Sequence, residues 1–582
     1  MRLLFLLALL IAVQAWAQTP PAWVEKSNQN AQLLIALMAR YSPEQASSQG
    51  LRQFDPQVST AAPDEPEGFR KDLAGARDEL QKRLAAEKDP LVRQDLNILI
   101  AQADRDIRSS AAQERNLLPY DDIAGTIFYG IKSLLDDQIT ADRRPAAVVR
   151  LRKYTGLESG YEPLTLQAEK RFRQKLKAPG LIGPAKVEVE KNLENTSTYV
   201  NGIGLLLEKY KMPGYADAFA KLKEQLAGYD NFVRAEVLPK ARGDFRLPPE
   251  LYTIQLENFG IDYSPEELTR LAHQTFAQLQ SEMQALAEKV AQERHLPSSD
   301  YRDVIAALKK DQIPGDQIMP HYRARLAEIE DIIRREHLVT LPERPAIIRL
   351  ASAAETAQQP APHMLPPPLL DNHGERGQFV LPLETTGQGG ATLKYDDFSF
   401  AVASWTLTAH EARPGHELQF DVMVERGVSL ARALFAFNST NVEGWGLYSE
   451  WFMLPYMPDD AKLVSLDYRL LRAARAFLDP ELQQGKVTPQ QAMQVLEKDV
   501  VCSPALATEE VERYTFRMPG QAPSYFDGYT RLLEIRHAAE QALGPKFNVQ
   551  RFHDFILSQG LLPPNLLRKA VMEDFVTANA AQ

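Results

Sequence analysis

The chain has one cysteine, Cys502, among its 582 residues. No disulfide can form within it, so packing must hold the fold together even in an oxidising compartment. Nothing near Cys502 resembles a Cys-His nucleophile pair, and it reads as a small packing residue. Long apolar runs are missing beyond the first 17 residues, which leaves no later segment able to cross a bilayer. Basic clusters and interleaved aromatic stripes are missing too, and the formal net charge is −11 at pH 7. Nucleic acid and anionic membrane surfaces are therefore excluded as natural partners.

What is present begins with "MRLLFLLALLIAVQAWA". Arg2, the apolar stretch Leu3 to Val13 and the small-x-small end Ala15-Trp16-Ala17 form a secretory signal, with cleavage expected after Ala17. No cysteine adjoins that cut, so a lipid anchor there has nothing to attach to. The mature chain is expected to be periplasmic or secreted, with no stable membrane insertion.

From about Val24 to Glu336, apolar residues recur at three- and four-residue steps, as in "RKDLAGARDELQKRLAAEK". This is a helical region. Ser264, Pro265 and Glu267 have the order of a capping box at a helix start. Between Leu338 and Lys394 the pattern shortens to extended segments around the proline-rich "QQPAPHMLPPPLLDNHGERG", for which a small antiparallel sheet is the simplest account. Both histidines of that loop, His363 and His373, are candidates to gate or line a cleft, with simple exposure the expectation. Helical pattern returns from about Phe398. The natural divisions are 1–17 as signal, 18–337 as an N-terminal helical region and 338–582 as the region holding the chemistry, the last two being separate domains or one continuous body.

The chemistry centres on "TAHEARPGHELQ", residues 408–419. Zinc peptidases space two histidines four apart on one helical face. His410 and His416 are six apart, which in a straight helix turns them about 120° away from each other. Pro414 and Gly415 lie between them, one unable to donate an N–H and the other tolerant of unusual backbone angles. The expectation is a broken or bulged helix that returns His416 towards His410. Glu411 occupies the place of a general base, and "NVEGWGLYSE" offers Glu443 as a third ligand after room for a helix and a turn. A carboxylate at a helix start is also favoured by the helix dipole alone. Glu450, seven residues on, is either a partner orienting a histidine or an exposed charge. Trp445 and Tyr448 are expected to pack the helix.

These segments, together with "RYTFRMPGQAPSYFDGY" at 513–529 and more weakly "PPPLLDNHGERGQFVLPL" at 366–383, resemble the bacterial domain-of-unknown-function 885 family. Members of that family look like glutamate-type (gluzincin-like) zinc metallopeptidases. The resemblance implies a mainly helical, two-lobed metallopeptidase-like fold with a small antiparallel sheet beside a deep cleft. It implies one zinc ion held by His410, His416 and Glu443, with Glu411 as base. Tyr525, and with it Tyr514 or Tyr529, would support the oxyanion, and Arg517 and Gln521 would lie near substrate. The family often carries a second histidine where this chain has Glu417. The expected activity is hydrolysis of peptide bonds in short peptides. A non-peptide amide substrate and a non-catalytic binding protein with a degenerate metal site are the alternatives.

Overall fold

The computed structural model describes residues 21–386 and 392–581. The signal segment lies outside the described residues. Among those described, no helix is long and apolar enough to cross a membrane.

The chain is mainly helical, and the expected helices form from Ala22–Tyr41 through Ile318–Arg335. Ser264 caps Pro265–Glu293 by accepting from the Glu267 amide at 3.2 Å. The reciprocal half of the capping box is absent, because the Glu267 carboxylate is held by Arg270 instead.

The expected antiparallel sheet is instead mixed. Strands β1 (Ile347–Leu350), β2 (His363–Leu365) and β3 (Gln378–Leu381) lie in the order β1-β3-β2. β3 runs parallel to β1 and antiparallel to β2. The cause is the connection. A helix, Ala353–Gln358, and the whole of β2 intervene between β1 and β3, and that crossover allows two parallel neighbours. β3 is central and all four of its residues are buried, which is why "QFVL" lacks an alternating pattern. A separate antiparallel pair joins β4 (Glu384–Thr386) to β5 (Thr392–Lys394).

Three of the five hydrophobic clusters among the described residues organise the helices. Two lie mainly under the N-terminal region. The largest runs from Ile98 to Phe575 and crosses the expected division at 337, because Pro265–Glu293 packs along Asp459–Gln483. Two further contacts place the chemistry. Ser439–Met453 crosses Ser524–Leu543 at backbone distance: a Cβ on Gly444 would stand 2.6 Å from the Gly528 carbonyl carbon, and one on Gly528 would stand 1.9 Å from the Thr440 oxygen. β2 and β3 pack beside the segment Thr408–Ala412.

Candidate metal centre

The helix that starts at Ala403–Leu407 widens into a π-helical turn over Thr408–Ala412, breaks at Arg413–Gly415 and restarts as His416–Glu425. The break expected from Pro414 and Gly415 is therefore present. Gly415 is required by a close approach, since a Cβ there would lie 1.8 Å from the His410 carbonyl oxygen. Trp445 packs in the core as expected, and its indole N–H donates to the Pro414 oxygen at 3.0 Å. The freed backbone at the break is thus tied to the neighbouring helix.

With the helix broken, the two imidazoles meet. His410 Nε2 and His416 Nε2 are 3.1 Å apart, and Glu443 Oε2 lies 3.4 Å from the first and 3.3 Å from the second. A tetrahedral zinc with bonds of about 2.0–2.1 Å separates its ligand atoms by about 3.3–3.4 Å. The triangle fits. Glu443 Oε2 is also buried without a hydrogen-bond donor, as a ligand oxygen would be. Glu411 is close enough for one ion to be shared among His410, Glu411 and His416. Its Oε1, however, is 4.0 Å from His410 Nε2, so Glu443 completes the tighter set.

The surrounding groups fix the orientation. His410 Nδ1 donates to Glu450 Oε1 at 2.7 Å, which leaves Nε2 with its lone pair towards the cluster. Glu450 is buried rather than an exposed charge, and it also accepts from Thr406 at 2.6 Å and Arg472 at 3.3 Å. Burial opposes its ionisation, but Arg472 and His410 hold its pKa below the usual carboxylate range. Burial likewise opposes charge on His410, yet Glu443 and Glu450 raise its pKa. Glu443 is held well below its ordinary value against burial by the two histidines. Burial pushes Glu411 up to about 8, with His416 opposing and Glu443 adding to the rise. Gly446 makes room for the ring: a Cβ there would stand 2.5 Å from His410 Cε1.

A cavity of about 630 Å³ opens onto Glu411, His416, Glu443, Gln521 and Tyr525. The Tyr525 ring stacks on His410 with centroids 6.1 Å apart, and the Arg475 guanidinium lies over the Tyr525 ring, 4.5 Å from its centroid. Gln521 donates to Ser439 at 3.0 Å and reaches Glu443 Oε1 at 3.4 Å, so it steadies the candidate ligand. A second cavity of about 560 Å³ shares Met518 with the first but holds none of these groups.

Other expected residues are not brought to the cluster. Tyr514 is buried and its hydroxyl donates to Glu510. Arg517 pairs with Glu512 at 2.8 Å and lines other cavities. Tyr529 packs under Arg469, away from the cavity wall. His363 is buried in β2 and lines the cavity, contrary to the expectation of exposure, because the proline-rich loop folds inward there. His373 stays about half exposed. Glu417 points away from the imidazoles and binds the buried Arg413 at 2.7 Å, which also bonds Glu330 at 2.7 Å. Burial raises the Glu417 pKa to about 7. Sequence reasoning missed Arg513, which lines the cavity; only its place in the 513–529 segment hinted at it.

A family model described as "Bacterial protein of unknown function (DUF885)" matches residues 43–571. The chain belongs to the DUF885 family. Comparison with curated proteins gives no match. Two solved structures share the DUF885 chain's fold at 18% identity each. One is a candidate lipoprotein from Colwellia psychrerythraea, with a TM-score of 0.73 over 95% of this chain and 99% of that one. The other is a candidate lipoprotein of unknown function from Shewanella oneidensis, with a TM-score of 0.67 over 95% and 100%.

Proposed function

We propose that this DUF885 protein is a zinc-dependent hydrolase that cleaves peptide bonds in short peptides outside the cytoplasm. The observation that carries the reading is the triangle of His410 Nε2, His416 Nε2 and Glu443 Oε2 beside the Glu411 carboxylate, with Glu411, His416 and Glu443 lining one cavity. A zinc ion held there would acidify water and polarise a carbonyl. Glu411 accepts a proton from the attacking water on its carboxylate and delivers it to the leaving amine nitrogen. The Tyr525 hydroxyl donates to the oxygen on which charge develops, and the Glu450 bond keeps His410 in the required tautomer. The gluzincin-like, two-lobed architecture is part of the same proposal. So is export, supported by the N-terminal signal pattern and by the lipoprotein descriptions of the two structural relatives.

The deciding experiment measures zinc content and oligopeptide cleavage for the wild type and Glu411→Gln. Both proteins should bind about one zinc per chain, and the variant should lose roughly 10²–10⁴-fold in turnover. Absence of zinc uptake, or undiminished cleavage by the variant, defeats the proposal.

A further inference from the structure

The cavity holds a charged group that the proposed hydrolysis leaves unused. Arg513 opens the π-helical turn Arg513–Arg517, immediately after the helix Pro504–Glu512, and lines the same cavity as Glu411 and Glu443. It is only 5% exposed. Its nearest carboxylates lie on its own helix, with Nε 3.6 Å from Glu509 Oε1 and Nη1 3.8 Å from Glu510 Oε1. Both distances exceed hydrogen-bond length. Glu510 is already engaged, by Arg475 Nε at 2.7 Å and by the Tyr514 hydroxyl. Arg513 Nη1 is buried with no hydrogen-bond partner. A guanidinium out of water with an unmet donor is costly, and its planar fork matches a carboxylate in two parallel bonds.

Position narrows the carboxylate. The Arg513 Cζ is 5.9 Å from the Tyr525 ring centroid, and that ring stacks on His410 at 6.1 Å. The two sites are therefore no farther apart than about four residues of extended chain. Among the described lining residues, the acid outside Glu411 and Glu443 is Asp106, which accepts from Gln102 at 2.9 Å and lies beside Arg105. A cavity of about 630 Å³ suits a short peptide rather than a folded chain.

We infer that Arg513 binds the free C-terminal carboxylate of a short peptide whose scissile bond lies at the His410–His416–Glu443 cluster. The inference rests on the proposed hydrolysis for its consequence, which is removal of residues from the C-terminal end. In that step the C–N bond breaks, the water oxygen joins the acyl carbon, and the amine nitrogen takes a proton through Glu411. Binding at Arg513 itself needs no turnover, and that separates the two readings.

The test titrates three probes into the Glu411→Gln protein by calorimetry: acetyl-trialanine acid, its C-terminal amide, and acetyl-Ala-Glu-Ala amide, which carries its charge on a side chain. The acid should bind roughly 10- to 100-fold tighter than either amide, the worth of hydrogen bonds to a charged group. Adding Arg513→Gln should abolish that preference, and Arg513→Lys should keep part of it, with circular dichroism establishing that each variant is folded. Equal binding of acid and amide overturns the inference, as does no measurable binding of the acid at millimolar concentration. Acid preference that survives in folded Arg513→Gln or is absent from folded Arg513→Lys overturns it as well. Tight binding of the glutamate-containing amide overturns the assignment to a terminal carboxylate. Failure of wild type to cleave any peptide defeats the hydrolase proposal but leaves the binding result to stand alone.

Discussion

Asp55, under the N-terminal helices, and Glu443, in the helix Ser439–Met453, both carry a carboxylate out of bulk water towards cationic or ring-nitrogen partners, yet their surroundings differ in kind. Asp55 accepts from Arg143 Nε at 2.7 Å, Arg143 Nη2 at 2.8 Å and Ser47 at 2.7 Å. Its bonding is complete. Glu443 keeps one oxygen without a donor, directed at two imidazoles. The contrast extends to the regions around them. Among the described residues, buried side-chain carboxylate and amide oxygens that lack a hydrogen bond all fall between Gln419 and Gln521. Two segments at the site, Thr408–Ala412 and Arg513–Arg517, are π-helical turns, whereas Ser439–Met453, which carries Glu443, is a continuous α-helix. A buried group whose bonds are complete serves the fold, and one left incomplete at a cavity is prepared for a ligand.

That contrast can be broken by moving stability without moving the site, or the reverse. The largest effect is expected from Leu222→Ala, which opens a hole in the N-terminal core where Leu222 is fully buried. It should cost about 2–5 kcal/mol in denaturant unfolding and leave zinc affinity unchanged; a parallel loss of affinity would show that the two regions do not act independently. Next comes Gly446→Ala, whose new Cβ meets the His410 ring. Zinc affinity, measured by competition with a chelator, should fall roughly 10–100-fold, the range for a ligand that loses its support, while the unfolding midpoint of the metal-free protein shifts little.

The smallest effect is one of slope. Asp467 is buried in the helix Asp459–Gln483, and burial pushes its pKa up to about 8, with Lys309 opposing and Asp397 adding to the rise. Its Oδ1 has no hydrogen-bond partner. Folding therefore favours the protonated form, so the unfolded state holds fewer protons above its own pKa of about 3.9, and stability falls as pH rises from there towards about 8. Asp467→Asn should remove that decline and gain on the wild type as pH rises, as read by thermal melts at successive pH values. Parallel curves for the two proteins would place Asp467 among the satisfied groups instead.

Much of this was legible before any coordinates. The 3.6-residue period marked the N-terminal helices because each buries one face and exposes the other. Proline and glycine between His410 and His416 marked the break because their effect is local. The sheet was only half legible: a strand's pattern reveals its burial, but the direction of its neighbour depends on where the chain returns. Tyr514 and Arg513, one residue apart, could not be told apart by composition. The turn that carries both sends one hydroxyl to Glu510 and one guanidinium to the cavity wall.

The sequence by itself determined the helical class, the interruption between His410 and His416 and the types of side chain gathered there, since these rest on side-chain chemistry and backbone preference within a few positions. Tertiary structure alone decided that Glu450 is buried against His410 and that Glu417 turns away to Arg413, and it sets Glu443 Oε2 closer than Glu411 Oε1 to His410 Nε2. Those outcomes depend on how closely Ser439–Met453 approaches the broken helix, and glycines at 444 and 446 set that approach through contacts with residues distant in the chain.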